Sequence, residues 1–191
     1  MDTKSQILEA AYALFQEKSY DQTSVTDICN ACHITKPAFY YHFKAKADLL
    51  LYFYKSTVEK LVLTVDTDNV NYWKQLVMCF IQLAQAENKL GADMISKVFV
   101  ANLTQNRHTF DFNDAFKTTC VTLITKAQTA GQIQNTQAPD ELFYTASYIF
   151  SGYDIMWAIE HDEITRINGM ITSFNTLFNV PKQHQFTFDI K

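Results

Sequence analysis

Residues 23–44 have the sequence TSVTDICNACHITKPAFYYHFK, and this stretch carries the start signals of two short helices. Ser24 and Asp27 stand three residues apart, the spacing at which a hydroxyl and a carboxylate satisfy free backbone N–H groups at a helix start. Thr35 is suited to cap the second helix, and Pro37 falls in its first turn, where a missing N–H group costs little. The pattern predicts two short helices joined by a tight turn.

The second of these helices has two different faces when it is drawn at ~100° per residue. Phe39 and Phe43 fall together on the inner face. The outer face and its flanks are formed by Lys36, Pro37, Ala38, Tyr40, Tyr41 and His42. Such side chains donate hydrogen bonds to phosphates and pack against base edges. A helix-turn-helix whose second helix enters the major groove of DNA is therefore expected.

The remainder of the 191-residue chain is also predicted to be helical. It has only 4 Gly and 3 Pro, too few for an all-β chain with many tight turns. Thr3 and Gln6 fit the cap of a first helix. Further helices are expected at about 46–65, 71–88, 93–105, 111–130, 139–161 and 163–179, with a turn at 66–69, Gly131 at a helix end and Pro139 at a helix start. Residues 185–190 alternate with period two, as in an extended arm.

The N-terminal residues together resemble the N-terminal domain of the TetR family of transcriptional regulators. The matching positions are Ile7-Leu8, Ala11, Leu14-Phe15, 23–28, Ala31, 34–44, Lys46 and Leu49. They lie within residues 4–50, about a quarter of the chain, and are specific as a joint pattern. The resemblance implies an all-α homodimer in which a helix-turn-helix DNA-binding domain, residues 1–47, precedes a larger helical ligand-binding and dimerisation domain, residues 48–191.

The same resemblance implies which residues meet a palindromic double-stranded DNA operator. The direct contacts would come from Lys36, Pro37, Ala38, Tyr40, Tyr41 and His42. Contacts with the DNA backbone would be supported by Thr26, Thr35, Lys44 and Lys46.

Ser19 and His33 depart from the family pattern, which usually has glycine at these two helix ends. If the backbone is unchanged, both residues need a positive φ angle, and the strain would be on the order of 1 kcal/mol each. Histidine is better suited to that region than serine. The departure leaves open a helical interaction module whose altered turns no longer support DNA binding.

The charge of the chain indicates that any affinity for DNA depends on local placement of cations. The chain has 16 Lys+Arg against 20 Asp+Glu, a net charge of −4. Residues 1–50 contain five lysines and six acids, a net of −1. We therefore expect weak non-specific binding with a modest dependence on salt. The first residues have no secretory pattern, and no run of ~20 apolar residues predicts a membrane span, so a cytoplasmic protein is expected.

The resemblance implies a ligand cavity within the larger helical part, whose many aromatic residues suit a small apolar or aromatic molecule. The candidate ligand residues are Trp73, Phe80, Phe99, Tyr148, Tyr153, Asp154 and Trp157, among which Asp154 would select a cation. The last two long helices are expected to form a four-helix dimer interface. Its candidate residues are Ile149, Gly152, Met156 and Ile159 on one helix and Ile167, Ile171, Phe174 and Phe178 on the other.

Residues 29–33, Cys-Asn-Ala-Cys-His, match the C-x-x-C-H spacing of c-type haem attachment. The helical periodicity places both thiols on the inner face, where small buried hydrophobic residues are the simpler interpretation. A thiol-based redox or metal sensor through Cys29 and Cys32 remains the alternative. Cys79 and Cys120 are isolated in the sequence, so neither a metal site nor a cofactor is expected.

Nucleophile, phosphate-loop and dinucleotide motifs are not found in the sequence, so an enzyme is not expected. The sequence is interpreted as a cytoplasmic, dimeric, ligand-responsive transcriptional regulator. Repression as the sign of regulation, and release from the operator by a small-molecule inducer, are taken from the resemblance.

Overall fold

The computed structural model describes residues 2–59, 61, 63, 66, 68, 70–106, 108–109 and 114–188, and all its regular elements are helices. The helices are α1 (Thr3–Gln22), α2 (Val25–Cys32), α3 (Lys36–His42), α4 (Ala47–Glu59), α5 (Tyr72–Asn88), α6 (Ala92–Thr104), α7 (Asp114–Thr129), α8 (Pro139–Glu160) and α9 (Glu163–Leu177). A short 3₁₀ helix, Lys182–His184, follows. The all-α prediction is confirmed.

The N-cap of the first helix lies one residue earlier than predicted. Asp2, rather than Thr3, is the N-cap, because its carboxylate accepts a hydrogen bond from the Ser5 backbone N–H at 2.7 Å. The helix is interrupted near its end, where Ser19 has φ 71° and ψ 162°. The positive φ expected at Ser19 is therefore confirmed, and the last turn of α1 follows a sharp change of direction.

The caps predicted for α2 and α3 are confirmed. Ser24 and Asp27 exchange the two hydrogen bonds of a capping box, with the Ser24 N–H donating to the Asp27 carboxylate at 2.7 Å. His33 ends α2 in the left-handed conformation, φ 55° and ψ 40°, as its position predicted. The Thr35 hydroxyl oxygen accepts from the Ala38 N–H at 3.4 Å and starts α3. These caps fix the angle at which α3 leaves α2.

Several boundaries differ from those expected. The helix α4 ends at Glu59 rather than near 65. Much of the predicted turn at 66–69, the predicted start of a helix at 111–113 and the last positions of the predicted C-terminal arm lie outside the described residues. Gly131 has φ 67° beyond the end of α7, and Pro139 opens α8, both as predicted. Phe186 and Phe188 in the arm pack against the bundle core.

The helices enclose two hydrophobic cores. The larger core lies among α5, α7, α8 and α9 and includes Trp73, Phe80 and Phe174. The smaller core joins α1–α4 to α6 and to the end of α8, with Leu50 and Trp157 among its members. The smaller core thus has residues on both sides of the predicted boundary at 47/48, and α4 is built into it.

Within the described part of the chain, each helix is too short or too polar to span a membrane.

Candidate nucleic-acid interface

The helix α3 presents its tyrosines to solvent because its phenylalanines are held inside. Phe39 is fully buried and Phe43 is 5% exposed, with their ring centroids 5.9 Å apart. On the opposite side, Tyr40 is 51% exposed and Tyr41 is 85% exposed. Tyr40 and Tyr41 thus present two adjacent aromatic side chains to solvent on the outer side of α3.

The helix α2 supports α3 from within the domain. Ile28 and Cys29 are buried, and the Ile34 N–H donates to the Cys29 carbonyl at 3.0 Å across the turn. Hydrogen bonds from the Ser24 backbone and hydroxyl lower the pKa of Asp27 to about 2. The Asp27 carboxylate also lies 3.3 Å from the Lys18 ammonium. The start of α2 therefore has a charged cap that is ionised at any physiological pH.

Most of the other predicted contact residues surround the tyrosines. Thr26, Thr35, Lys36, Pro37 and Lys44 are exposed, and Ala38 and His42 are half-buried. The Tyr41 and His42 rings meet edge to face at 5.0 Å. Seven of the ten predicted residues are thus exposed, and Ala38 and His42 are half-buried.

Lys46 is the exception. Its ammonium donates to the carbonyls of Tyr20 and Thr23, both at 2.8 Å, and lies 3.9 Å from the centroid of the Tyr20 ring. Burial lowers its pKa. In this structure the lysine ties the start of α4 to the end of α1, and its part in DNA binding stays a prediction.

The thiols of Cys29 and Cys32 lie on the inner side of α2, as predicted. Burial raises the pKa of both thiols, and the Cys32 Sγ lies 3.4 Å from the Gln6 carbonyl oxygen. Cys79 and Cys120, isolated in the sequence, meet in the larger core, where their thiols hydrogen-bond. Among the residues that the structure describes, His, Cys, Asp and Glu side chains form no group of three that could hold a metal ion.

The structure does not bring the predicted ligand residues together. Trp73 and Phe80 are fully buried in the larger core, and Tyr148 is 74% exposed. Phe99 and Trp157 belong to the smaller core. The Tyr153 hydroxyl is bonded to the Ser173 hydroxyl at 2.9 Å. The sequence could not predict that these residues are spread over two cores and the surface. The helical period identifies buried aromatic residues but does not distinguish those that fill a core from those that line a cavity.

The prediction that Asp154 selects a cationic ligand is corrected, because Asp154 pairs with a cation of the chain itself, Arg166. It is buried, and its Oδ1 accepts from the Arg166 Nε at 2.7 Å. The Arg166 guanidinium also pairs with Glu87 and lies over the Trp157 ring. Neither Arg166 nor Glu87 was identified from the sequence. Each is a single charged residue on an otherwise apolar helix face, and this was the signal that could have found it.

The predicted dimer residues divide into two groups. On α9, Ile167, Ile171, Phe174 and Phe178 are all at most 3% exposed and belong to the core of their own chain. This half of the prediction is wrong, because the apolar face of α9 packs inward against α5 and α8. On α8, Met156 and Ile159 are 45% and 65% exposed, Gly152 is exposed and Ile149 is half-buried.

Part of the exposed surface of α8 is apolar, and we call this part the α8 stripe. It consists of Tyr148, Gly152, Ile155, Met156 and Ile159. These positions recur at intervals of three and four residues, so they share one side of the helix. A stripe of this kind on a bundle marks an interaction surface.

Three clefts are lined by described residues, and none of these three contains a predicted ligand residue. A cleft of about 360 Å³ lies between the end of α4 and α7 and is lined by Val58, Glu59, Leu61, Leu63, Ala115, Phe116 and Thr119. A second, of about 520 Å³, separates the end of α1 from the start of α6. The third, of about 820 Å³, lies between α9 and the C-terminal arm.

The N-terminal domain is similar in sequence to known proteins. The family model described as bacterial regulatory proteins, tetR family, matches residues 7–53. The uncharacterized HTH-type transcriptional regulator YuxN of Bacillus subtilis is 37% identical over 95 residues, 46% of this chain and 33% of that protein. The transposon Tn10 TetC protein of Escherichia coli is 36% identical over 80 residues, 41% of each. The match thus covers less than half the length of these curated relatives.

The whole chain is similar to solved structures in its fold. The Thermus thermophilus FadR, described as a TetR-family transcriptional repressor in complex with lauroyl-CoA, superposes with a TM-score of 0.65. The alignment covers 98% of this chain and 97% of that chain at 15% identity. At this identity the likeness concerns the arrangement of the helices.

Proposed function

Because the chain belongs through its N-terminal domain to the TetR family of bacterial regulatory proteins, we propose that it is a transcriptional regulator that binds a palindromic DNA operator as a homodimer. The observation that carries this proposal is the 85% exposure of Tyr41 on a short helix with capped ends. Tyr41, Tyr40 and Lys36 supply the donors and ring faces that base edges and phosphates accept. A DNA operator as partner implies a cytoplasmic location.

A dimer follows from the size of α3. Seven residues reach only a few base pairs, and two copies held ~34–36 Å apart address successive major grooves. The α8 stripe supplies the dimer surface in this proposal, and Ile164 at the start of α9, 63% exposed, extends it. Two stripes related by a two-fold axis would bury each other's apolar side chains.

The ligand in this proposal enters the cleft between α4 and α7. Val58, Leu61 and Phe116 give it apolar walls, and about 360 Å³ is enough for a small apolar or aromatic molecule. The cleft touches the end of α4, whose other residues are built into the smaller core with α1–α3. A ligand that prefers one position of α4 would therefore change the spacing of the two α3 helices and release the operator. Repression is the proposed sign, as in the structurally similar FadR.

The thiol-sensor alternative is less well supported. A sensor cysteine needs an accessible thiolate, whereas burial raises the pKa of Cys29 and Cys32 above that of an ordinary thiol. Catalysis is not proposed, since the family is one of regulators.

The proposal is tested by selecting duplexes from random DNA with the purified protein. We expect an enriched sequence with two inverted half-sites. A gel-shift experiment with the DNA upstream of the protein's own gene is the quicker version. Selection that enriches no sequence, from protein shown to be folded, would contradict the proposal and favour an interaction module.

A further inference from the structure

A buried group of charged side chains lies between the two cores, and we call it the arginine cluster: Tyr54 on α4, Glu87 and Asn88 on α5, Asp154 on α8 and Arg166 on α9. Glu87, Asp154 and Arg166 are 1%, 3% and 2% exposed. Four helices that are distant in sequence therefore contribute polar groups to one dry site.

The guanidinium of Arg166 uses its N–H groups in all directions. Its Nε donates to Asp154 Oδ1 at 2.7 Å, and its Nη2 donates to the Glu87 carboxylate. The Nη1 donates to the Asn88 side-chain oxygen at 2.9 Å and to the Ala84 carbonyl at 3.4 Å. The planar cation is thus fully hydrogen-bonded, and it holds two carboxyl groups within reach of each other.

The charges of the cluster do not balance when both carboxyl groups are ionised. One cation, Arg166, faces two carboxylates. Among the described residues, the Tyr54 hydroxyl is the only further titratable group in contact with these carboxyl groups. Glu163 on α9 reaches the cluster through the Asn88 amide. A net negative charge in a dry site is costly, so one proton shared between Glu87 and Asp154 restores neutrality.

The contact with α4 is made by a single hydroxyl. The Tyr54 O–H donates to Glu87 Oε1 at 3.1 Å, and Tyr54 itself is 6% exposed. Leu49 and Leu50 on the same helix pack in the smaller core with α1–α3. Any displacement of α4 from the bundle withdraws this donor from Glu87 and admits water to the site.

We propose that the arginine cluster is a proton-dependent lock on α4, which keeps one proton between Glu87 and Asp154 while α4 is docked and the site is dry, and releases it when α4 withdraws and water enters the site. The consequence for DNA binding rests on the proposed function, whereas the proton linkage itself does not. Protonation therefore holds α4 in the position seen in this structure, and loss of the proton loosens it.

The sign of the pH dependence follows from the direction of the pKa shifts. Burial raises the pKa of Glu87 well above its ordinary value and that of Asp154 to about 6, although Arg166 opposes both. At a pH between the ordinary carboxyl pKa and these raised values, the docked state therefore binds more protons than a state in which the site is hydrated. The stability of docking is greatest at the acid end of this interval and falls as pH rises through the raised pKa values.

The experiment is amide hydrogen exchange of α4 in the full-length protein at pH 5 and pH 8, corrected for the intrinsic chemical rate. From pH 5 to pH 8 we expect the protection of the α4 amides to fall. The fall should be about tenfold for each unit by which docking raises the pKa of the shared proton. Glu87→Gln imitates the protonated acid and still accepts from Tyr54, so the pH dependence of its α4 protection should become smaller and keep only the contribution of Asp154. Glu160→Gln, an exposed position on α8, is the matched control and should behave like the wild type.

Equal protection of α4 at both pH values in the wild type, or an unchanged pH dependence in Glu87→Gln, would overturn the proposal.

A measurement without variants covers the case in which Glu87→Gln does not fold. Carboxyl ¹³C NMR titration of the wild type should find one glutamate whose midpoint lies above those of the exposed glutamates. If every glutamate and every aspartate titrates at its ordinary value, ~4.3 and ~3.9, the lock does not exist. Neither experiment uses DNA, so a failed operator selection leaves this result standing.

Discussion

The guanidinium carbon of Arg166 lies 4.1 Å from the centroid of the Trp157 ring, so a residue of α9 covers the ring of a residue of α8. The same planar group donates to Asp154 and Glu87 at its edges. Lysine cannot make this arrangement, because its ammonium is compact and has no flat face to stack.

Arg166→Lys is therefore expected to lower the free energy of unfolding by about 3 kcal/mol, the cost of leaving buried carboxyl groups without a full partner. Urea denaturation followed by circular dichroism measures this change. Lys89→Arg, at an exposed position, is the control and should stay within ~0.5 kcal/mol of the wild type. A loss as small as that of the control would mean that the arginine fork is not needed.

Tyr41→Ala should weaken specific binding by ~1–3 kcal/mol if its ring or hydroxyl touches a base. The folded protein should lose almost nothing, because the side chain is 85% exposed. Fluorescence anisotropy with a selected operator duplex measures the affinity. Tyr41→Phe separates the hydroxyl from the ring. Unchanged affinity in Tyr41→Ala would remove this residue from the contact set.

The salt dependence of operator binding should be modest. Residues 1–50 have a net charge of −1, and Lys46 uses its ammonium inside the domain. Lys44 is exposed, and Lys44→Ala should reduce the slope of log affinity against log salt by about one for each protomer if it contacts a phosphate. A wild-type slope that requires ten or more neutralised phosphates per dimer would show that more cations reach the DNA than this distribution of charge allows.

Ser19→Gly should stabilise the protein. Serine at φ 71° and ψ 162° occupies a region that suits glycine almost alone, at a cost of order 1–3 kcal/mol. Part of the gain is offset because glycine has more freedom in the unfolded chain, so a net increase of about 1 kcal/mol is expected by urea denaturation. Ser56→Gly inside α4 is the matched control and should have the opposite sign.

Ile159→Glu should convert a dimer to monomers, because it places a charge within an apolar surface that the proposed interface buries. Analytical ultracentrifugation at several concentrations measures the association. Leu103→Glu on α6, where the side chain is 86% exposed and away from the α8 stripe, is the control and should remain dimeric. If both variants stay dimeric, the interface lies elsewhere on the molecule.

Local signals predicted the helix-turn-helix accurately because they act over a few residues. The cap of Ser24 and Asp27, the start of α3 at Thr35 and the buried pair Phe39 and Phe43 depend on spacing within one or two turns. The cap at Thr3 was displaced by one residue because Asp2 supplies a stronger acceptor.

The larger bundle was less predictable, because the helical period identifies an apolar face without saying what covers it. Phe174 and Phe178 were assigned to a dimer surface, yet they fill the core of their own chain. The exposed apolar residues Tyr148 and Ile155 on α8 are visible as a surface only once the neighbouring helices are in place.

The amino-acid sequence by itself determined the helices of the N-terminal domain and the outward face of α3, since caps and periodicity are local, whereas the positive φ angles at Ser19 and His33 were expected from the resemblance to the family. Only the tertiary structure decided that Arg166 meets Glu87 and Asp154, and that the Lys46 ammonium donates to the carbonyls of Tyr20 and Thr23. The physical reason is that the energy of a buried charge depends on partners brought from distant helices, which no local pattern encodes.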